Sequence, residues 1–222
     1  RLIAYGSVEN VGVILIGQWR RHDLLNQLAA RKLPIVVWGA QLPRQMYCTV
    51  GGDNQRGGRL AAEHLLKQGR KRIVFLGDPQ LPEVAQRLEG YHAALATAKV
   101  TARAELELAV PFEVGAARAA VASLLDRKID FDAVIGCSDL LAISAMQVLR
   151  EHGRDVPRDV AVVGYDDMPL TNYCDPPLSS IHQPVPEAGV QLVDALLAML
   201  HGQVAAPRVL PVELIVRRSS QA

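Results

Sequence analysis

The chain has 222 residues, half of them hydrophobic and 21% charged, which at roughly 150 residues per domain indicates a soluble globular protein of one large domain or two small ones. Lys and Arg number 24 against 23 Asp and Glu, so the formal net charge is +1, and no electrostatic footprint for nucleic acid or an anionic membrane is present. Apolar stretches such as residues 11–16 are far shorter than the roughly 20 residues that span a bilayer, and three separated cysteines (Cys48, Cys137, Cys174) argue against a disulfide scaffold or a CxxC zinc site. No basic start followed by an apolar run announces a secretory signal, although the first residue is Arg1 and not Met.

In chain order, β-branched runs alternate with amphipathic stretches. Residues 1–5 and 11–16 read as strands with only 6–10 between them, too short for a parallel crossover, so a hairpin or a missing helix after Ser7 is implied. A helix at 23–31 and a strand at 34–38 follow, and then an irregular segment, 41–53, broken by Pro43 and Gly51–Gly52. Next come a helix at 55–68, a strand at 72–76, a helix at 87–98, a strand at 106–110 and a helix at 115–126. A strand at 133–137, a helix at 140–152 and a strand at 160–164 complete the regular part. Residues 175–186 are Pro-rich and too irregular for a helix; a helix at 187–201 and a strand at 209–216 close the chain. Asn54 and Asp139 are expected to cap helices that Gly69 and Gly153 end. The alternation indicates an α/β fold with parallel sheets.

Most catalytic readings fail on spacing. GGDNQRGG (51–58) has neither GxGxxG nor the Lys-Ser/Thr of a phosphate loop, and reads better as a tight turn feeding a capped helix. No GxSxG elbow surrounds a serine. Cys137 reads as a small buried hydrophobe. Six histidines (22, 64, 92, 152, 182, 201) show no HExxH or close pairing; His64, His152 and His201 sit near helix ends, and only His182 is placed near a site. No catalytic residue, metal site or cofactor is indicated.

What remains is a set of polar residues just beyond the carboxyl ends of strands, where open parallel sheets bind ligands. These are Asp78, Ser138 and Asp139, and Asp166 and Asp167, with Arg87 at a helix start and Phe112 after the strand at 106–110. Asp139 reads as a helix cap ahead of a ligand contact. Carboxylates, an arginine fork and an aromatic face suit a polyhydroxylated ligand. Arg87 and Asp166 are both expected at a solvated cleft and not inside a packed layer, so replacing either would leave the fold intact.

The chain resembles the effector-binding core of the lactose-repressor/galactose-repressor family of bacterial transcription regulators. The stretches that carry the likeness are VGVILIG (11–17), VGGDNQRGGRLAAEHLLKQGRKRIVFLG (50–77), RLEGYHAAL (87–95), CSDLLAISAMQVLREHGRDVPRDVAVVGYDD (137–167) and YCDPPLSSIHQP (173–184). The resemblance implies a type I periplasmic-binding-protein-like fold: two parallel-sheet lobes with three crossovers, near 50–52, 181–183 and 210–213, and ligand in the cleft between them. One lobe would take 1–50 plus 182–210, incomplete at its start; the other, 51–181 plus 211–222. Carried over, Arg87 grips the ligand, Asp166 contacts it and Phe112 stacks on it. Ser138 stands where the family commonly has Asn, and Gln183 is a further contact.

The function implied is that of a cytoplasmic regulator, a homodimer. Its core would bind a small effector, a sugar ahead of a purine or nucleoside, and alter operator affinity by hinge closure. Operator DNA would be reached only through a helix-turn-helix headpiece absent from this chain, so the chain itself is expected to bind neither DNA nor membrane. Two alternatives stay open: a periplasmic solute-binding protein of a sugar transporter, and an α/β sugar-processing enzyme.

Overall fold

In a computed structural model of the chain, residues 11–221 are described; the expected strand at 1–5 and the question of a helix after Ser7 lie outside them. The chain divides into two compact units. One runs to Gly52 and resumes over Pro184–Leu210, and the other takes Asp53–Gln183 and resumes at Pro211.

The smaller unit holds β1 (Val13–Ile16), α1 (His22–Ala30), β2 (Ile35–Trp38), β3 (Cys48–Gly52), α6 (Val185–Leu200) and β9 (Arg208–Leu210). Its sheet runs β1-β2-β3-β9, with every pairing parallel. Strand alternation sends Val36 to one face, where it meets Cys48, Val50 and the Leu192 and Ala195 of α6. Ile35 and Val37 face the other way, onto Leu25 of α1 and Tyr47.

The larger unit contains α2 (Asn54–Lys67), β4 (Ile73–Leu76), α3 (Pro82–Thr97), β5 (Glu107–Leu108), α4 (Val114–Asp126) and β6 (Ala133–Gly136). It continues with α5 (Asp139–Glu151), β7 (Ala161–Asp166), β8 (Ser179–His182) and β10 (Glu213–Ile215). Strand order is β10-β8-β7-β6-β4-β5, parallel except for β10, which runs antiparallel to β8. All residues of β4 and β6 are buried, as expected of a parallel sheet covered on both faces. Sequence order reverses between β4 and β6, so the crevice a ligand would use lies at their carboxyl ends.

The α/β class and the regular alternation agree with the sequence reading; several details do not. Two strands, β3 and β8, fall inside the segments read as irregular. The single strand expected at 209–216 is two, β9 and β10, in different sheets. Helix α3 begins at Pro82, which suits a first helical turn that has no intrahelical use for its N–H groups. Arg87 therefore lies in its second turn and not at its start. Both helix caps fall one residue earlier than expected. Asp53, not Asn54, accepts the Arg56 N–H at 2.9 Å, and Ser138, not Asp139, accepts the Leu141 N–H at 3.3 Å. Gly69 and Gly153 do end their helices, at φ of +81° and +68°.

The GGDNQRGG run also acquires a physical reason. Gly51 and Gly52 belong to β3, whereas Gly57 and Gly58 lie on α2 where nothing larger than hydrogen fits. A Cβ on Gly58 would collide with the Arg87 carbonyl of α3, and one on Gly90 of α3 would collide with the Gln55 carbonyl of α2. The two helices thus meet backbone to backbone. No helix among the described residues is long and apolar enough to cross a membrane.

Candidate ligand site

The close approach of α2 and α3 sets the position of Arg87. Its side chain is only 6% exposed and lies over the Tyr165 ring, with the guanidinium carbon 3.6 Å from the ring centre. Nε donates to Asn54 Oδ1 at 2.9 Å, and Nη1 donates to the Cys137 carbonyl at 2.5 Å, at the carboxyl end of β6. Burial works against the guanidinium charge, but Tyr165 and the Asp166 carboxylate offset it, and the proton is held more firmly than usual. Gly57 of α2 makes room for the Tyr165 ring, which a Cβ there would strike. Neither Asn54 nor Tyr165 is among the site residues that the sequence suggests. Asn54 hid behind its suitability as a cap, and Tyr165 gave no signal beyond its place at a strand end.

Asp166 ends β7 at φ +105°, a conformation that costs an L-residue of order 1–3 kcal/mol and that tends to persist at binding sites. Oδ1 accepts from Gln183 Nε2 at 2.7 Å. Burial raises its carboxyl above the ordinary range, while Arg87 and the Gln183 hydrogen bond lower it in part. Arg87 and Asp166 feel each other, yet no ion pair closes between them among the described residues. The neighbouring Asp167 is fully engaged. Its carboxylate takes Arg217 Nη2 at 2.8 Å and faces His182 Nδ1 at 3.0 Å. His182, the one histidine placed near a site, is therefore a partner of Asp167.

Arg87, Asp166 and Gln183 are thus brought together, and Ser138 lies next to the carbonyl that Arg87 grips. The Ser138 hydroxyl is occupied as the cap of α5. Phe112 follows the short edge strand β5, partly exposed and with no hydrogen-bond or ring contact to the others among the described residues. The expectation that Arg87 lies outside any packed layer is corrected by its burial, which also makes it a packing residue.

Asp139 is completely buried and does not cap the helix as expected; it has another task. Its carboxylate accepts the Ser180 hydroxyl at 2.5 Å and the Met168 N–H at 2.7 Å, tying α5 to β8 and to the turn after Asp166. Its carboxyl is raised to about 7: burial pushes it up most, the hydrogen bonds from Ser180 and Met168 pull it back in part, and Asp166 and Asp167 push it up further. A folded-state value above the unfolded one means the native state holds an extra proton. Asp139 therefore favours folding most below pH of about 4 and costs stability as pH rises from there to about 7. Asp139→Asn is expected to flatten that decline. Melting temperatures of both proteins from pH 4 to 8 would check this; parallel curves would contradict it. Cys137 is buried beside Arg87, and burial raises its thiol to about 12, so it stays protonated. Among the described residues no cluster of His, Cys, Asp and Glu is arranged to hold a metal ion.

Comparison with known proteins bears on this site. A family described as periplasmic binding protein-like domain matches residues 62–220. The HTH-type transcriptional regulator CelR of Thermobifida fusca is 36% identical over 99% of this chain and 66% of its own length. The HTH-type transcriptional repressor CytR of Escherichia coli K12 is 31% identical over 95% of this chain and 63% of its own. Among solved structures, a transcriptional regulator CelR–cellobiose complex superposes with a TM-score of 0.87 at 35% identity, covering 94% of this chain and 65% of that one. The chain therefore spans about two thirds or less of the curated relatives it matches.

Proposed function

This chain belongs to the periplasmic-binding-protein-like domain family and, within it, to the lactose-repressor/galactose-repressor group of regulators, and from that membership we propose that it is the effector-sensing part of a sugar-responsive transcription regulator. One observation carries the reading. A guanidinium has five N–H donors; Arg87 gives one to Asn54 and one to Cys137 and interacts with the Tyr165 side chain that it covers, so its hydrogen-bonding capacity is only partly used among the described residues. A buried cation only partly supplied favours a ligand that completes it, because an unmet hydrogen bond in such a place costs roughly 1–3 kcal/mol. The Tyr165 hydroxyl is buried beside it and meets no hydrogen-bonding group other than Arg87's among the described residues, and Asp166 offers an acceptor. Donors on one side and a carboxylate on the other match the vicinal hydroxyls of a sugar.

Cellobiose is the ligand named with a relative and is the first candidate here; Ser138, Gln183 and Phe112 are proposed as further contacts. Operator DNA is met through a separate headpiece, and the protein works in the cytoplasm without catalysing a reaction. A homodimer is also proposed. Met168, Leu170 and Tyr173, around the short 3-10 turn at Pro169–Tyr173, leave an apolar patch open, of the kind that marks association surfaces. Light scattering of the complete core would detect the dimer, and a monomer at tens of micromolar would oppose it. The test of function is a thermal-shift series with disaccharides, monosaccharides and nucleosides. Ligand at about 100 times its Kd should add about 2.7 kcal/mol of stability. A response to nucleosides alone would overturn the sugar assignment.

A further inference from the structure

Tryptophan is largely covered in most folded proteins, yet Trp19 leaves 62% of its surface open. It follows β1 directly, at the carboxyl end of the smaller unit's parallel sheet. The backbone there is unusual at two positions: Gly17 stands at φ +82°, and Trp19, which carries a Cβ, at φ +49°. A left-handed conformation at a bulky residue persists only where its surroundings impose it.

Gln18 imposes it. Its buried amide donates from Nε2 to the Ala40 carbonyl at 2.5 Å and to the Tyr47 hydroxyl at 3.0 Å, while Oε1 accepts the Ala40 N–H at 2.9 Å. The Gly17 N–H donates to the Trp38 carbonyl at 2.8 Å, and the Arg21 N–H to the Gln18 carbonyl at 3.1 Å. The turn is fixed to the end of β2 and to the residues that follow it. The indole lies close over Gly17, where an added Cβ would stand 3.3 Å from Nε1, so the ring rests against the backbone of its own turn.

We infer that Trp19 is a stacking platform for a pyranose ring, a carbohydrate contact that belongs to the smaller unit. The inference rests on the reading that the chain binds a sugar. The electron-rich face of an indole suits the electron-poor axial C–H groups of a pyranose, and sugar hydroxyls can stay in water at the ring's edge. Because Gln18 holds the turn in place beforehand, little ordering would be lost on binding. Exposure and strain at one aromatic residue, maintained by a dedicated buried amide, have no role in packing the smaller unit's core, which Trp19 does not join.

Tryptophan emission and calorimetry with cellobiose, maltose and lactose as probes test this directly. For the sugar that binds, the emission of the intact protein should move to shorter wavelength on saturation. Trp19→Phe should keep the affinity within about threefold and lose the spectral change, and Trp19→Ala should weaken binding about tenfold, with the melting temperature of both close to the parent's. Full affinity in Trp19→Ala, or an unchanged spectral response in Trp19→Phe, overturns the platform while leaving the sugar reading standing. Failure of the parent protein to bind any of the three overturns that reading and the platform with it.

Discussion

Replacing Gly58 or Gly90 with alanine is expected to destabilise the larger unit by roughly 3 kcal/mol, at the upper end of what overpacking usually costs. The sign makes this a sharp test. Alanine is the better helix former by about 1 kcal/mol, so local propensity alone forecasts a gain. The loss comes from geometry, since each new Cβ would meet backbone of the facing helix, which cannot rotate aside as a side chain can. Gly115, on α4 with open space around it, supplies the control. There the same substitution should be neutral or stabilising by a few tenths of a kcal/mol. Urea unfolding followed by circular dichroism would compare all three, and equal midpoints would contradict the argument.

Arg87→Ala should weaken effector binding about a hundredfold, because a hydrogen bond to a charged group contributes roughly 1.5–3 kcal/mol and more than one is lost. It should also lower stability, since Asn54 Oδ1 and the Cys137 carbonyl are left without their donor, at roughly 1–3 kcal/mol each. Arg87→Lys separates the two roles. A lysine keeps the charge but presents one ammonium in place of a planar fork, and cannot both satisfy Asn54 and stack flat on Tyr165. Binding should fall nearly as far as in the alanine variant. Calorimetry alongside melting curves would show it, and a lysine variant with parental affinity would remove Arg87 from the site.

The regular part of the fold was legible because its strands are apolar on both faces and its helices show clear periodicity. Where the sequence misled, the stabilising interactions are polar or made by backbone. SSIH, the whole of β8, has a single aliphatic residue, and is held by the Ser219 hydroxyl on the Ser179 N–H, by Ser220 on Ser179, and by Asp139 on Ser180. β3 ends in two glycines, which ordinarily signal a turn; here a Cβ on Gly51 would strike the Gly39 carbonyl of the smaller unit. At the site, strand-end position picked out Arg87 and Asp166, but not the residues that hold them, of which Gln183 was named through the family resemblance alone. Asn54 and Gln183 act through single side-chain hydrogen bonds across long stretches of chain, which no local pattern encodes. Trp19 was equally readable as a strand-end residue, and its backbone strain was not.

The path of the chain has a consequence for biosynthesis. Neither unit is built from one continuous segment: the smaller awaits α6 and β9, and the larger awaits β10 and the serines at 219 and 220. As the nascent chain emerges, β8 is made with one edge still unpaired, because its antiparallel neighbour β10 is translated only after α6 and β9. An unpaired edge can recruit the wrong strand, including one from another copy, and contacts between such distant residues form slowly. Premature termination anywhere before residue 213 would therefore release a polypeptide with an open sheet, prone to aggregate and a natural client for chaperones. A single proteolytic nick at 183 would leave neither fragment with a complete unit.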